Sequence, residues 1–256
     1  MGQFENKTVV VTGASRGIGE ATARAFAAEG ANVVLAARSV DRISEIAREL
    51  EGTGARAFSR RCDVSSWDDV SNTIQTAHER FGRLDFLVNN AGVIEPISHL
   101  AESNPQEWGE AIDINTKGVY YGLRAALPIM AEQGEGVIVN ISSGAAVSAL
   151  EGWSHYCASK AAVLSLTKCA DKEAPAGVRV VGLSPGTVAT EMQREIKASG
   201  VNPVSQLDWE DHIPADWPAR AVLWLCTNDA AEFHGTDVSL RDEEIRRRAG
   251  LVRLAG

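Results

Sequence analysis

Short runs of aliphatic and β-branched residues alternate with longer amphipathic stretches along most of the chain. The apolar runs, each predicted to form a strand, cover 8–11, 33–37, 55–61, 84–88, 137–141, 178–183 and, less regularly, 236–240. Helical periodicity covers 19–30, 40–51, 66–80, roughly 105–131, 154–174 and 217–226. Continuous apolar strands that alternate with helices predict an α/β fold with a parallel sheet covered on both faces.

No linker, charge block or internal repeat divides the chain, so residues 1–256 are predicted to form a single doubly wound domain. The stretch 191–216 is richer in polar residues, Pro and Trp and lacks clear periodicity; we predict that it is a substrate-binding lid. The charged tail 241–256 has two interpretations. We favour a solvated terminal helix or frayed end over an arm at a subunit interface.

The overall charge narrows the range of partners. The chain has 34 acidic and 25 basic residues and a formal net charge of -9, which argues against nucleic acid. No apolar run approaches the roughly 18 residues that span a bilayer, and the N-terminus does not look like a signal peptide. The four Cys and five His lack metal-site spacing, so we expect no metal. We therefore predict a cytoplasmic protein with reduced thiols.

A glycine-rich segment, Thr12-Gly13-Ala14-Ser15-Arg16-Gly17-Ile18-Gly19, lies between the first strand and the first helix. Glycines at this place let the backbone turn tightly and approach a pyrophosphate at the positive end of the helix. Taken alone, the segment could equally be an ordinary tight turn between a strand and a helix.

A tyrosine and a lysine lie four residues apart on the long helix 154–174, so that Tyr156 and Lys160 share one helical face. A cation beside a phenol favours the phenolate and lowers its pKa from about 10. Tyr156 would then give and take protons near pH 7. The alternative is a surface pair on an amphipathic helix.

These motifs stand together with Asn89-Asn90-Ala91-Gly92 after the fourth strand, Ser143 after the fifth, Asn115, and the segment 185–190. In this order they resemble the short-chain dehydrogenase/reductase family over roughly residues 5–230. The resemblance implies a three-layer Rossmann fold with a mostly parallel seven-stranded sheet. It also implies a nicotinamide cofactor, hydride exchange between a secondary alcohol and a ketone or aldehyde, and a homotetramer or homodimer.

The resemblance assigns roles to individual residues. Tyr156 is the general acid and base, Lys160 lowers its pKa and binds the cofactor ribose, and Ser143 polarises the carbonyl. Asn115 holds a water in a proton relay or, alternatively, braces a helix kink. The residues implied to contact the cofactor are Gly13, Ser15, Arg16, Gly17, Ile18, Gly19, Arg38, Asp63, Val64, Asn89, Ala91, Gly92, Tyr156, Lys160, Pro185, Gly186, Val188 and Thr190.

The substrate is implied to contact Ser143, Ala145, Trp153, Tyr156 and Met192. Further pocket residues suggested by the resemblance are Val93, Ile94, Pro96, Leu150 and Gly186, with Trp209 and Trp217 on the lid. Because most of these side chains are apolar, we expect a small hydrophobic ketone or secondary alcohol as the substrate.

The end of the second strand bears on the choice of cofactor. An NAD-binding site of this type places an acid there to bind the ribose hydroxyls. This chain has Ala36-Ala37-Arg38, and its next acid is Asp41. Arg38 and Arg16 could hold a 2′-phosphate between them, so we predict NADP(H), with NAD(H) as the alternative. Two solvated arginines would be the simpler interpretation.

Two other functions stay open. One is a 3-oxoacyl-(acyl carrier protein) reductase, which this chain also resembles. Those enzymes have basic residues on the two helices beside the site to dock an acidic carrier, but of the matching stretches 127–132 and 171–176 only Lys172 is basic. The other is a non-catalytic dinucleotide-binding module; such proteins usually lose the Tyr or the Lys, and both are present here.

Overall fold

The computed structural model describes residues 2–251. Its strands are β1 (Thr8–Thr12), β2 (Asn32–Ala37), β3 (Ala57–Arg61), β4 (Phe86–Asn89), β5 (Gly136–Ile141), β6 (Val178–Ser184) and β7 (Asp237–Ser239). Its α-helices are α1 (Gly17–Ala28), α2 (Val40–Gly52), α3 (Trp67–Phe81), α4 (Pro105–Ile112), α5 (Gly118–Gln133), α6 (Ser154–Glu173), α7 (Glu191–Ser199), α8 (Asp216–Leu225) and α9 (Glu243–Arg248). Each predicted apolar run corresponds to one strand.

The strands form one parallel sheet in the order β3-β2-β1-β4-β5-β6-β7. The predicted doubly wound sheet of seven strands is therefore confirmed. Every residue of β1, β2, β4 and β5 is buried. Helices on both faces remove these strands from water, which explains why their sequences are continuously apolar rather than alternating.

Two hydrophobic cores lie on opposite faces of the sheet. On one face Val9 and Val11 of β1 pack with residues of α1, α2, α8 and α9, such as Phe26 of α1. Val10, which lies between them, packs on the other face with residues of α3, α5 and α6, such as Ile74 of α3. Successive strand residues point to opposite faces, so one buried strand supplies both cores.

Strand order reverses between β1 and β4. The chain leaves β1 toward β2 and β3, and it returns to the other side of β1 through β4. The connections that follow these two strands diverge, which opens a crevice at their carboxyl ends. Asn90, which follows β4, is bonded to the end of β1 beside the crevice. Its Nδ2 donates to the carbonyl oxygens of Thr12 (2.9 Å) and Gly13 (3.2 Å).

The single helix predicted over 105–131 is divided into α4 and α5 by a π-helical turn at Asp113–Lys117. Asn115 in this turn is fully buried. Its Oδ1 accepts from the Val93 amide (2.8 Å), and its Nδ2 donates to the Val93 carbonyl (2.9 Å) and the Ser159 hydroxyl (3.2 Å). The turn brings this side chain between two other segments, and helical periodicity alone does not reveal it.

Two less regular segments differ from expectation. The stretch 191–216 contains the helix α7 and short 3₁₀ turns, where no regular element was predicted; its role as a lid stays a prediction. The tail forms the terminal helix α9, as the favoured interpretation had it, but this helix is not solvated on all sides, because Ile245, Ala249 and Leu251 are buried in the same core as Val238 of β7. Residues 252–256 of that prediction lie outside the described residues, and the alternative of a subunit-interface arm stays a prediction.

A buried carboxylate joins the amino ends of the two central strands. Asp85 is 2% exposed, and its Oδ2 accepts from the Thr8 amide (2.8 Å) and from Arg83 Nε (2.6 Å). Its Oδ1 pairs with Lys7 Nζ at 2.9 Å and with a terminal nitrogen of Arg83. Burial alone would raise the pKa of Asp85, but the bonds from Arg83, Thr8 and Lys7 outweigh it and lower the pKa.

Asp85→Ala should reduce the free energy of unfolding by about 2–4 kcal/mol at pH 7, because it leaves the buried Thr8 amide without its acceptor and removes one of the two carboxylates that bind Lys7 and Arg83, the other being Glu135. Since the folded pKa is lowered, the loss should be constant above about pH 5 and shrink as the pH falls below about 4. Urea unfolding followed by circular dichroism measures it. Glu102→Ala, at an exposed site without an ion pair among residues 2–251, should cost less than about 0.5 kcal/mol. Equal losses in both variants would contradict this role.

Candidate active site

The glycine-rich segment forms the turn from β1 into α1. Gly13 and Gly17 have φ angles of 64° and 57°, and a Cβ on Gly13 would lie 2.8 Å from the Ala91 Cα. Only glycine tolerates both the left-handed conformation and this approach. The N-cap residue of α1, Arg16, makes no side-chain capping bond. The first backbone N–H groups of α1 are therefore not occupied by a cap, and they suit an anion.

A cavity of about 630 Å³ begins at this turn and follows the carboxyl ends of the strands. We call it the large cavity. The residues predicted to contact the cofactor that line it are Gly13, Ser15, Arg16, Gly17, Ile18, Arg38, Asp63, Val64, Ala91, Gly92, Tyr156, Lys160, Pro185, Gly186 and Thr190. This set reaches from β2 to the start of α7, so the sheet brings together residues far apart in the sequence. The glycine lining and the uncapped helix fit the pyrophosphate of a dinucleotide.

Three residues predicted to contact the cofactor do not line the large cavity. Asn89 is buried, and its Nδ2 donates to Asn140 Oδ1 at 2.9 Å inside the sheet. Its neighbour Asn90 lines the cavity instead, because consecutive residues at a strand end face opposite ways. Gly19 supports the turn from behind, where a Cβ would lie 2.4 Å from the Gly13 carbonyl oxygen. Val188 is buried and forms a β-bridge with Ile213.

Ser143, Tyr156 and Lys160 converge at the inner end of the large cavity. Tyr156 and Lys160 project from α6 and are 8% and 4% exposed. Lys160 Nζ lies 5.6 Å from the centre of the Tyr156 ring and donates to the Ile141 carbonyl at 2.7 Å. Ser143 follows β5, and its Oγ accepts from the Ala145 amide at 3.2 Å. The interpretation of Tyr156 and Lys160 as a surface pair is therefore wrong.

A second, smaller cavity of about 200 Å³ adjoins this point. We call it the small cavity. Ser143, Tyr156 and Gly186 line both cavities, whereas Ala145 and Trp153 line only the small one. Of the other predicted substrate residues, Met192 lines the large cavity. Trp209 and Trp217 line neither cavity. Gln193 and Arg241 line the small cavity and were not predicted.

Asn115 lies behind the cavity wall. A Cβ on Gly92, which lines the large cavity, would come within 3.2 Å of Asn115 Oδ1. The bonds of Asn115 to Val93 and Ser159 are those of a brace across the π-helical turn. Its contacts among the described residues thus correspond to the second of the two predicted roles, and the water relay stays a prediction.

Three arginines line the large cavity. Arg16 and Arg38 are exposed and line it, as does Arg42, which the sequence analysis did not identify. Arg42 pairs with Glu20 and Glu45, and Arg16 Nη2 lies 3.8 Å from Glu195 Oε1. Arg38 makes no ion pair among residues 2–251, although its charge helps to lower the pKa of Asp63. Asp41 lies in the first turn of α2 and does not line the cavity.

Within residues 2–251, no helix is both long and apolar enough to cross a membrane. The same part of the chain has no group of three or more His, Cys, Asp or Glu side chains that could hold a metal ion.

Comparison with known proteins decides the family. The profile of the short chain dehydrogenases matches residues 7–200. This chain belongs to the short-chain dehydrogenase family. The resemblance inferred from its motifs is thereby confirmed.

Relatives of this short-chain dehydrogenase share more than a third of its sequence. An uncharacterized oxidoreductase of Staphylococcus saprophyticus is 38% identical over 226 residues, which are 87% of this chain and 90% of that protein. A 3-oxoacyl-[acyl-carrier-protein] reductase of a Synechocystis species is 37% identical over 232 residues, 89% of this chain and 92% of that one.

Two solved structures superpose on nearly the whole of this chain. Levodione reductase superposes with a TM-score of 0.86 at 29% identity, covering 93% of this chain and 97% of that one. A single-substitution variant of actinorhodin polyketide ketoreductase with NADPH has a TM-score of 0.83 at 28% identity, covering 94% and 97%.

Burial shifts the pKa values of two groups in the short-chain dehydrogenase site. Burial raises the pKa of Tyr156 to about 12, with the Ser143 hydroxyl acting in the opposite direction. Burial also lowers the pKa of Lys160 to about 8. Lys160 is not among the groups that shift the pKa of Tyr156, and its hydrogen bond goes to the Ile141 carbonyl; that Lys160 lowers the pKa of the phenol stays a prediction.

A half-buried acid that the sequence analysis missed acts on Lys160 through its charge. Asp237 begins β7, and its Oδ2 accepts from the hydroxyls of Ser184 (2.8 Å) and Ser142 (3.1 Å). Burial raises its pKa, against the two hydroxyls and Lys160. In return, the charge of Asp237 raises the pKa of Lys160. An acid within a predicted strand is unusual, and this feature of the sequence could have pointed to Asp237.

Asp237→Asn should move the titration of Lys160 to a lower pH than the wild-type value of about 8, because the ammonium loses its stabilising charge. Carbon-13 NMR of the lysine side chains measures it, with the Lys160 resonance assigned by Lys160→Arg. Asp229→Asn, at an exposed site, is the matched control and should leave this titration in place. An unshifted midpoint in Asp237→Asn would show that the acid acts only on Ser142 and Ser184.

Proposed function

We propose that the protein is an NADP(H)-dependent oxidoreductase that interconverts a secondary alcohol and a ketone or aldehyde. The observation that carries this proposal is the position of Ser143 and Tyr156, which line both cavities. A cofactor in the large cavity and a carbonyl compound in the small one would meet at these two side chains.

The residues at the junction have complementary tasks. The Ser143 hydroxyl donates a hydrogen bond to the carbonyl oxygen and thereby polarises it. Tyr156, protonated well above neutral pH, gives its phenolic proton to that oxygen. Lys160 holds a positive charge beside the phenol while its anionic form develops. The reduced nicotinamide, when bound, supplies the hydride to the carbonyl carbon.

The large cavity also supports a preference for the phosphorylated cofactor. Arg38 follows β2 directly, where an acid would bind unphosphorylated ribose hydroxyls. It lines the cavity and has no carboxylate partner of its own among the described residues. A guanidinium without a carboxylate partner suits a phosphate, which it can hold through two parallel hydrogen bonds. Arg16 and Arg42 add positive charge beside it.

The 37% identity to a carrier-protein reductase of Synechocystis supports a second candidate, reduction of a carrier-bound 3-oxoacyl thioester. The net charge of -9 argues against it, because acidic carriers are attracted by basic surfaces. A substrate panel should therefore include both a carrier-bound and a free thioester. The homotetramer or homodimer and the cytoplasmic location stay predictions.

Tyr156→Phe should reduce kcat for ketone reduction by about 10²–10⁴-fold, because the proton donor is removed while its ring is kept. The assay follows NADPH absorbance with a panel of ketones and thioesters, and NADPH affinity is measured by calorimetry in parallel. Tyr120→Phe, at a tyrosine that is 47% exposed, is the control and should leave kcat unchanged. NADPH binding without turnover of any compound by the wild-type protein would favour a non-catalytic dinucleotide-binding module.

Arg38→Asp should lower the ratio of kcat/KM with NADPH to that with NADH by about 100-fold, because it replaces a phosphate-binding charge with a carboxylate that suits ribose hydroxyls. Arg48→Asp makes the same charge change at an exposed position on α2 that does not line the large cavity. The ratio should stay near its wild-type value in that control. An unchanged ratio in Arg38→Asp would contradict the preference for NADP(H).

A further inference from the structure

The small cavity is less apolar than the sequence suggested. Its volume of about 200 Å³ lies below the ~300–1,000 Å³ typical of sites for drug-sized ligands, so it suits a small molecule. Apolar side chains such as Ile94 and Leu150 form part of its wall. Besides Ser143 and Tyr156, four polar residues line it: Ser148, Thr187, Gln193 and Arg241.

Two buried polar atoms in the wall have no hydrogen-bond partner among the described residues. They are Nε1 of Trp153, a donor, and Oε1 of Gln193, an acceptor. The two residues are 5% and 8% exposed. Leaving such groups unpaired is costly, and buried polar atoms without a partner are uncommon in folded proteins. Both residues line the small cavity, although the two atoms themselves expose almost no surface to it. The polar residues of the wall suit a ligand that has polar atoms of its own.

The backbone of Arg241 is held firmly at the end of β7. The preceding residue, Leu240, is 3% exposed, and its amide donates to the Ser184 carbonyl at 3.0 Å. The Arg241 amide donates to Ser239 Oγ at 3.2 Å, and its carbonyl accepts from Arg246 at 3.4 Å. The fold thus fixes where this side chain begins, although the residue itself is exposed.

The charged side chains that follow Arg241 in the sequence have partners of their own. The Asp242 carboxylate caps α9 by accepting from the Glu244 and Ile245 amides. The three arginines of α9 pair with acids, in the pairs Arg246–Glu243, Arg247–Glu244 and Arg248–Glu232. Arg241 is left with no carboxylate partner among residues 2–251, and it lines the small cavity together with Ser143 and Tyr156.

We propose that the small cavity takes a short oxoacid, or the corresponding hydroxyacid, and that the Arg241 guanidinium binds its carboxylate. This inference rests on the proposed function, since Ser143 and Tyr156 must hold the carbonyl. The expected hydrophobic ketone is thereby narrowed to one with an anionic end.

The size of the cavity favours a carboxylate on the substrate itself over the phosphate of a carrier arm. Arg241 and Tyr156 border the same space of about 200 Å³, so the anion lies only a few bonds from the reacting carbonyl. In a carrier-bound thioester, a long flexible arm separates the phosphate from the reacting carbonyl. A free 3-oxoacyl thioester, which is neutral, therefore serves as a comparison substrate.

The experiment compares acetoacetate and levulinate with their methyl esters and with a neutral 3-oxoacyl thioester of N-acetylcysteamine. For each pair we measure the ratio of kcat/KM for the acid to kcat/KM for the ester with NADPH. Arg241→Gln should lower this ratio by about 10- to 100-fold, because a charge-assisted hydrogen bond is lost. Arg241→Lys keeps the charge without the planar fork and should give an intermediate ratio. Arg247→Gln on α9 is the matched control and should not change it.

The outcomes separate this inference from the function on which it rests. If the wild-type enzyme reduces the esters or the thioester but its acid-to-ester ratio is the same in Arg241→Gln, the carboxylate site is refuted and the proposed function stands. If no compound is reduced, the proposed function is refuted. Calorimetric titration of levulinate into the NADPH complex then tests the site alone: binding that Arg241→Gln weakens supports it, and absent or equal binding refutes it.

Discussion

Strand order reverses between β1 and β4, and every group of the active site depends on the gap that this reversal opens. At the amino ends of the two strands, the bonds of Asp85 to Thr8 and its two cations keep the strands together. At the carboxyl ends the connections diverge, so the large cavity forms where Asn90 ties the two loops. The sheet thus keeps water away from its own strands but leaves a crevice at the carboxyl ends of β1 and β4.

Burial determines the chemistry of the groups in that crevice. A tyrosine and a lysine with little solvent contact both shift toward their neutral forms, Tyr156 by a raised pKa and Lys160 by a lowered one. Asp237 opposes the second shift from the sheet side. Its own carboxylate is held by the hydroxyls of Ser142 and Ser184, so the acid is part of the strand ends rather than of the cavity. The charge of Lys160 thus depends on a residue that does not touch the substrate.

Sequence patterns predicted the sheet and the core of the site because both depend on local order. Apolar runs mark buried strands, and the spacing of Tyr156 and Lys160 places them on one helical face. What they missed depends on register or on distant packing. The choice between Asn89 and Asn90 turns on which way one strand-end residue points. Arg241 reaches the small cavity only because β7 pairs with β6, and a run of charges in the sequence looked like a solvated tail.

Unpaired arginines in an acidic protein connect these observations. Nine of the 18 arginines among residues 2–251 pair with a carboxylate, as the three arginines of α9 do. Arg38 and Arg241 have none among the described residues, and each borders a cavity, one the large and one the small. The two cavities share Ser143 and Tyr156. A cofactor phosphate at Arg38 and a substrate carboxylate at Arg241 would therefore fix the two reactants from their outer ends, so that their reactive atoms meet beside the proton donor.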